Sequence, residues 1–413
     1  MTIETHNERA FDVIVHGATG FTGKLVAEYL LRQYGLGDRL RWAIAGRSEM
    51  KLQQVRDELG VDAAGLEIIV ADSFDNVALQ SLASQTRVVL TTVGPYALYG
   101  SDLVAACVKE GTHYCDLAGE VHWIRKMIDL HQDNAAKTGA RIVHCCGFDS
   151  VPMDIGVWFL QDAAHKKTGT YCESISLFVK ATKGTASGGT LASMMNLIKE
   201  SRKDRTIART LIHPYSLNPE GERDGPDTRD QQNVVYREDA KSWTAPFIMA
   251  GVNTKVVRRS HALAGYPYGR NFRYDESVLT GHGLLGWLKG TIMVAALGAL
   301  VFLASFTPSR NLLQRFVLAK PGEGPDRELQ KQGFFNLIQI GVLPDGTTMR
   351  GRITGDQDPG YGSTSKMLSE CAVCLAKDEL DSGGGVWTPA AVMAKPLIGR
   401  LRNNAGLSFE LRD

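Results

Sequence analysis

Gly17, Gly20 and Gly23 recur at every third position in "VIVHGATGFTGKLVAEYLL", between an apolar run and an amphipathic one. Glycines at such a turn let the backbone approach a pyrophosphate, whose charge is met by the N–H groups and dipole of the helix that follows. Ala18 and Phe21 complete the turn, and Thr19 and Thr22 place hydroxyls near the same phosphates. The first gap is one residue longer than in G-x-G-x-x-G, but the strand–turn–helix context that the chemistry requires is in place. The turn therefore predicts a bound dinucleotide.

Which dinucleotide depends on the end of the second apolar run, "WAIAGRSEMKL". An Asp or Glu there would accept bonds from the adenosine ribose and repel a 2′-phosphate. Arg47 stands there instead, with Ser48 and Lys51 close behind. A guanidinium forms charge-assisted bonds to phosphate, whereas a bare cation at a helix start is electrostatically poor. NADPH is the expected cofactor. Asp72, closing "IIVADS", should border the adenine.

Gly94 and Pro95, in "TTVGPYALYG", form a turn that brings backbone groups to the nicotinamide half. Tyr96 and Tyr99 follow as candidate catalytic residues, either proton donors or holders of a developing oxyanion. Asp116 and Glu120 in "HYCDLAGE", with Asp149 and Ser150 in "HCCGFDSVPMD", are candidates for the substrate pocket. Capping remains open beside that reading, because Ser150 or Asp149 could open the helix near Pro152, with Asp154 in its first turn. No metal site is expected. Cys371 and Cys374 have C-x-x-C spacing, but they lie within the helical pattern "SKMLSECAVCLAKDEL", with no second ligand pair nearby.

These residues must be held by a sheet. Strands are expected at Phe11–Val15, Arg41–Ala45, Leu66–Ala71, Arg87–Thr92, Thr112–Cys115 and Arg141–Cys145, alternating with amphipathic helices such as "GKLVAEYLLRQY". That rhythm predicts an α/β fold, a doubly wound parallel sheet of Rossmann type, over residues 1–150. At 413 residues the chain exceeds one ordinary core, and a second, α+β substrate domain is expected over 151–355. Helices of 356–413 should return to the nucleotide domain.

The remaining composition narrows the class. Apolar residues make up 44% and charged residues 22%, as in a globular protein. With 46 basic and 45 acidic residues the net charge is +1, which gives no electrostatic reason to expect nucleic acid. Seven cysteines suit reduced thiols and not a disulfide framework. The polar start "MTIETHNERAFDVIV" does not read as a secretory leader, so a cytoplasmic protein is expected.

Several phrases together resemble the saccharopine dehydrogenase-like oxidoreductases: "GATGFTG", "AGRS", "TTVGPY", "YCDLAGE" and "GFDSVPMD". The later "GDQDPGYGSTSKMLSECAVCLA" and "GGGVWTPAAVM" are similar to the branch called trans-acting enoyl reductases. The resemblance covers most of residues 11–160 and 333–411. It implies a Rossmann-type domain with an α+β substrate domain, NADPH as reductant, and reduction of a carbon–carbon double bond on a lipid or polyketide chain. Cofactor roles carry over to Gly17, Gly20, Gly23, Arg47 and the Gly94–Tyr96 turn. The motifs that carry the resemblance assign no residue to the Lys/His dyad of the amino-acid-processing relatives.

The middle of the chain is read from its residues alone. "YCESISLFVKATKG" is a strand candidate ending in a flexible "GTASGGT", and "LASMMNLIKE" is helical. Asn218–Gln232 should form an exposed loop able to serve as a lid. Gly290 to Ser309, "GTIMVAALGALVFLASFTPS", carries no charge. It can be a buried core helix, a helix against a membrane or greasy channel, or a span. Trp287 and Lys289 just before it are types that settle at headgroup level. After a linker "AKPGEGPD", a Pro-Asp-Gly turn between β-rich runs signals a hairpin.

The expected function is NADPH-dependent reduction of an enoyl group on an apolar, lipid-like small molecule, with peripheral membrane contact and a homodimer both open. Two alternatives stand beside it. One is a saccharopine-type dehydrogenase that would hold carboxylates with Arg258, Arg259, Arg270 and Arg273. The other is a non-catalytic nucleotide-binding protein of lipid surfaces.

Overall fold

The computed structural model describes residues 9–184, 188–304, 306 and 324–412. The chain divides into two compact units, residues 1–148, 320–324 and 360–405 in the first, and 149–319, 325–359 and 406–413 in the second.

The first unit is built on seven strands: β1 (Phe11–His16), β2 (Trp42–Gly46), β3 (Glu67–Val70), β4 (Thr86–Thr91), β5 (His113–Cys115), β6 (Arg141–Val143) and β13 (Gly385–Trp387). They pair in the order β13-β6-β5-β4-β1-β2-β3, every pair parallel. Between them run α1 (Phe21–Tyr34), α2 (Glu49–Leu59), α3 (Asn76–Ser84), α4 (Tyr96–Tyr99), α5 (Ser101–Glu110) and α6 (Val121–Thr138). Val13, Ile14 and Val15 have no exposed surface, as a strand covered by helices on both faces requires. The strand order reverses between β1 and β4, and such a switch point opens a crevice at the carboxyl ends of the strands.

The helix Gly362–Lys377 holds α1 in place through one carboxylate. Glu370, fully buried, accepts the hydroxyls of Tyr29 at 2.6 Å and Tyr34 at 2.7 Å, with Asn404 Nδ2 at 3.2 Å and Arg400 Nη1 at 3.4 Å. A buried carboxylate is tolerated only when its oxygens are satisfied in this way. The later helix therefore fixes the direction in which the N-terminus of α1 points.

The second unit centres on a mixed sheet of order β14-β12-β11-β7-β10-β9-β8. Its strands are β7 (Ser174–Lys183), β8 (Val235–Arg237), β9 (Ser242–Pro246), β10 (Arg273–Gly281), β11 (Phe334–Val342), β12 (Thr348–Gly355) and β14 (Leu407–Arg412). Its helices include α7 (Val151–Thr168), α8 (Gly188–Lys203), α9 (Arg205–Ile212), α10 (Ala250–Leu263) and α11 (Gly283–Ala304), with a short one at Arg327–Lys331. Only β7 and β10 pair in parallel. The β11–β12 hairpin closes where Leu343 N–H donates to Thr347 O at 2.9 Å, with Gly346 at φ +82° in the left-handed region.

Two expectations about organisation change. Residues 407–412 do not return to the nucleotide domain; they form β14, hydrogen-bonded along β12 in the second sheet. The apolar stretch is not a buried core helix either. It begins at Gly283, and of residues 283–300 only Gly286 and Gly290 are buried. Residues 305 and 307–309 of that stretch, 185–187 of the flexible loop and 319–323 of the linker lie outside the described residues. Asn218–Gln232 contains no strand or helix, as expected.

Candidate nucleotide site

The turn after β1 is shaped by what its glycines lack. Gly17 has φ +89°, and a Cβ there would lie 2.6 Å from Val93 Cγ2. At Gly23 a Cβ would sit 2.2 Å from the Gly17 carbonyl oxygen and 2.8 Å from Ala18 Cα, so no side chain fits where α1 crosses the turn. Gly20 differs. A Cβ there would meet only Gly17 O, at 3.4 Å, and this residue caps α1 with no side chain to occupy the first-turn N–H groups. The turn is thus packed beneath and open on the side where a pyrophosphate would approach. Thr92 Oγ1 donates to Gly17 O at 3.2 Å and locks the turn to the end of β4.

Beneath it lies His16, buried, its Nδ1 3.3 Å from Thr91 Oγ1. Burial pushes its imidazole down to about 4, so it is neutral near pH 7 and adds no charge under the turn. In the sequence His16 is signalled only as a polar residue closing an apolar strand beside a glycine turn.

Arg47 is exposed at the tip of β2, and its guanidinium makes no hydrogen bond or ion pair among the described residues. Ser48 next to it is the N-cap of α2, its Oγ accepting Lys51 N–H at 3.5 Å, so its hydroxyl has a structural use. Asp72 Oδ1 accepts the Phe74 N–H at 3.0 Å and shapes the loop after β3. Phe74 projects from that loop, 68% exposed, with its ring edge-on to Tyr99 at 5.6 Å.

The two tyrosines proposed for catalysis are placed differently from expectation. Tyr96 is 5% exposed and stacks on Trp123 at 5.6 Å. Its hydroxyl donates to Thr91 O at 3.3 Å and accepts Leu117 N–H at 3.1 Å. Burial, followed by the nearby Asp116 carboxylate, drives its phenol well above the ordinary tyrosine value. This hydroxyl braces two loops and is not poised to hand on a proton. Tyr99, with its ring on Phe74, belongs with the loop after β3, the adenosine side of such a crevice.

The carboxylates are likewise committed inside the first unit. Glu120, 1% exposed, accepts the N–H groups of Tyr96 at 2.7 Å and Ala97 at 3.0 Å, which fixes the entry to α4 after Gly94 and Pro95. Asp116 is fully buried and accepts from His144 Nδ1 at 2.7 Å, Tyr114 Oη at 2.9 Å, and the N–H groups of Ala118 at 3.0 Å and Cys145 at 3.2 Å. Both acids serve as internal braces for the loops at the strand ends.

In the second unit Asp149 is half-buried, and desolvation raises its carboxyl to about 6. Ser150 stands at the cap position of α7 without a side-chain cap; its Oγ lies 3.2 Å from Asn253 Oδ1. Asn253 Nδ2 donates to Glu276 at 3.0 Å, and Tyr274 Oη donates to the same carboxyl at 2.8 Å. Glu276 is 2% exposed, and burial pushes it up to about 8. Glu276 is not among the residues that the sequence motifs single out. Alternation along β10 puts Tyr274 and Glu276 on one inward face, and an acid in that register was the signal.

The basic cluster expected to hold carboxylates is split. Arg258 is buried and bonded to Asp227 at 2.6 Å and Tyr274 O at 3.0 Å, while Arg270 and Arg273 are exposed. All seven cysteines are buried free thiols, Cys371 and Cys374 among them.

A parallel 3-2-1-4-5-6 sheet with a glycine turn at its switch point and an unpaired arginine after β2 defines an oxidoreductase with an NADP-binding domain. Residues 13–143 match the saccharopine dehydrogenase NADP-binding domain. The yeast saccharopine dehydrogenase (L-Glu forming) of Saccharomyces cerevisiae shares the fold at TM-score 0.52 and 12% identity, over 98% of this chain and 100% of that one. A Mycobacterium tuberculosis member of the trans-acting enoyl reductases is 41% identical over 98% of both chains. The trans-acting enoyl reductase of Mycobacterium bovis is 37% identical over 95% of this chain and 96% of its own. The chain belongs to the trans-acting enoyl reductase family.

Proposed function

We propose that the protein reduces the carbon–carbon double bond of an enoyl group on an apolar, lipid-like chain, using NADPH. The observation that carries the cofactor choice is Arg47, unpaired at the tip of β2 where an acidic residue would exclude a 2′-phosphate. The family relationship, spanning nearly all of the chain, supports the enoyl substrate. The reading places the enzyme in the cytoplasm, working on lipid at a membrane surface.

NADPH, when bound, supplies the hydride. The chain supplies position and charge. The Gly17–Gly23 turn and the N-terminus of α1 hold the pyrophosphate, and Arg47 holds the 2′-phosphate. Asp72 fixes the loop that, with Phe74 and Tyr99, flanks the adenosine. Glu120 and Tyr96 stiffen the Gly94–Pro95 turn that borders the nicotinamide half. With the Tyr96 hydroxyl consumed by backbone and Tyr99 on the adenosine side, the proton for the α-carbon comes from another acid or from water.

NADPH consumption measured with enoyl thioesters of increasing chain length, and separately with amino acids plus 2-oxo acids, tests the reading. Turnover that rises with acyl length is expected. Turnover only with the amino-acid mixtures would replace the enoyl reading with saccharopine-type chemistry.

A further inference from the structure

The helix α11 leaves the second sheet with an unusual surface. Its 22 residues span about 33 Å at ~1.5 Å per residue. Lys289 is the single charged residue among them. One narrow stripe faces the protein: Gly286, where a Cβ would lie 2.2 Å from Gly281 O, and Gly290, where it would lie 3.0 Å from Val234 Cγ1. Thr291, Val294, Leu297 and Leu300 are half-buried, and most other described positions are exposed, with Leu284 at 77%, Leu285 at 72%, Ile292 at 59% and Phe302 at 63%. At about 100° per residue the exposed apolar positions from Trp287 round to Met293 cover an arc of ~240°.

That arc selects the occupant. A second copy of the chain packing helix on helix covers one seam of a/d type and leaves the remaining apolar positions in water. Fluid hydrocarbon covers the whole arc. Trp287 and the exposed Lys289, both near the start of the helix, have an amphipathic ring and a long stem that suit the headgroup boundary. Connectivity limits the depth. The chain leaves the sheet at β10 and re-enters it at β11, and both strands flank β7, so the excursion starts and finishes on one side of a bilayer.

We propose that α11 is a one-leaflet membrane anchor, its exposed arc buried among acyl chains and its Gly286–Gly290 stripe kept on β9 and β10. This gives the membrane contact of the preceding section a definite site, and it stands or falls without reference to the reduction itself.

Flotation of the full-length protein with neutral phosphatidylcholine vesicles tests the anchor. Wild type should float. A variant with Leu285→Ser, Ile292→Ser and Phe302→Ser should partition at least ~100-fold more weakly, since each buried side chain of this size adds to transfer, and it should keep wild-type NADPH binding. Vesicles with brominated acyl chains should quench tryptophan emission, and Trp287→Phe should lose most of that quenching. Failure of the wild type to float, or flotation of the triple variant, overturns the anchor. So does a wild-type dimer in sedimentation that the serine variant splits while neither binds vesicles. Binding that needs anionic phosphatidylglycerol and survives the serine changes also overturns it. None of these outcomes bears on the enoyl reading, which fails only in the turnover assay.

Discussion

The Glu120 carboxylate accepts the backbone N–H of Tyr96 at 2.7 Å, while the Tyr96 hydroxyl accepts the N–H of Leu117, three residues before Glu120, at 3.1 Å. The loops after β4 and β5 therefore hold each other by reciprocal side-chain-to-backbone bonds. Tyr96→Phe leaves one buried N–H and one carbonyl without their partner, which should cost about 1–3 kcal/mol in urea denaturation. Because the hydroxyl is a brace, turnover should stay within tenfold of wild type. A loss of ~100-fold or more, the scale of general acid catalysis, would restore Tyr96 as the proton donor.

Arg47→Ala should weaken NADPH binding by ~10–100-fold and leave NADH nearly unchanged, because charge-assisted bonds to one phosphate are all that the substitution removes. Fluorescence titration with both nucleotides measures it. Equal weakening of both would mean that Arg47 acts on the fold of the loop and not on the 2′-phosphate.

Gly23→Ala should abolish nucleotide binding while the protein still folds. Its methyl would fall 2.2 Å from the Gly17 carbonyl oxygen, a backbone atom that can yield only if the turn opens. Overpacking of this kind costs about 1–3 kcal/mol. Gly20→Ala, whose methyl meets only one atom at 3.4 Å, should melt like wild type and weaken binding through the phosphate side alone. If the two variants melted and bound alike, the division of the turn into a packed side and an open side would be wrong.

Glu276 makes stability depend on pH in a particular direction. Burial raises its carboxyl to about 8 from an ordinary value of 4.5, so the folded state holds a proton that the unfolded state has released. The unfolded chain binds fewer protons across that window, and stability falls as pH rises from about 4.5 to about 8. The contribution is fully present below the lower value and lost above the upper one. Glu276→Gln keeps one acceptor for Tyr274 or Asn253 and removes the titration. Melting followed from pH 5 to pH 9 should show a shallower decline in the variant. Parallel declines would place the titration elsewhere.

Six of the seven strands of the first sheet were readable because each is a short apolar run beside a turn signal, and the expected limits match β1, β2 and β4 to within a residue; β13, at the far end of the chain, was not. The nucleotide turn was readable for the same local reason. The fate of the acids was not. Asp116 and Glu120 look alike in sequence to pocket residues and to braces; what separates them is which N–H groups fold toward them, and those belong to Ala118, Cys145, Tyr96 and Ala97. Arg258 was hidden in the same way, since its partner Asp227 lies in a loop that sequence marks only as exposed. The surface position of α11 was equally illegible: composition sets how apolar a helix is and says nothing of what covers it.

The strand Gly385–Trp387 bears on how this chain is made. It pairs with β6, whose residues end at Val143, so the edge of the first sheet waits for a partner that leaves the ribosome after more than half of the chain has been added. Helix Gly362–Lys377, which brings Glu370 to Tyr29 and Tyr34, arrives equally late. During synthesis the nascent glycine turn and its strands must persist with an open β6 edge and an unclamped α1. That interval is when an unpaired strand is most prone to wrong pairing.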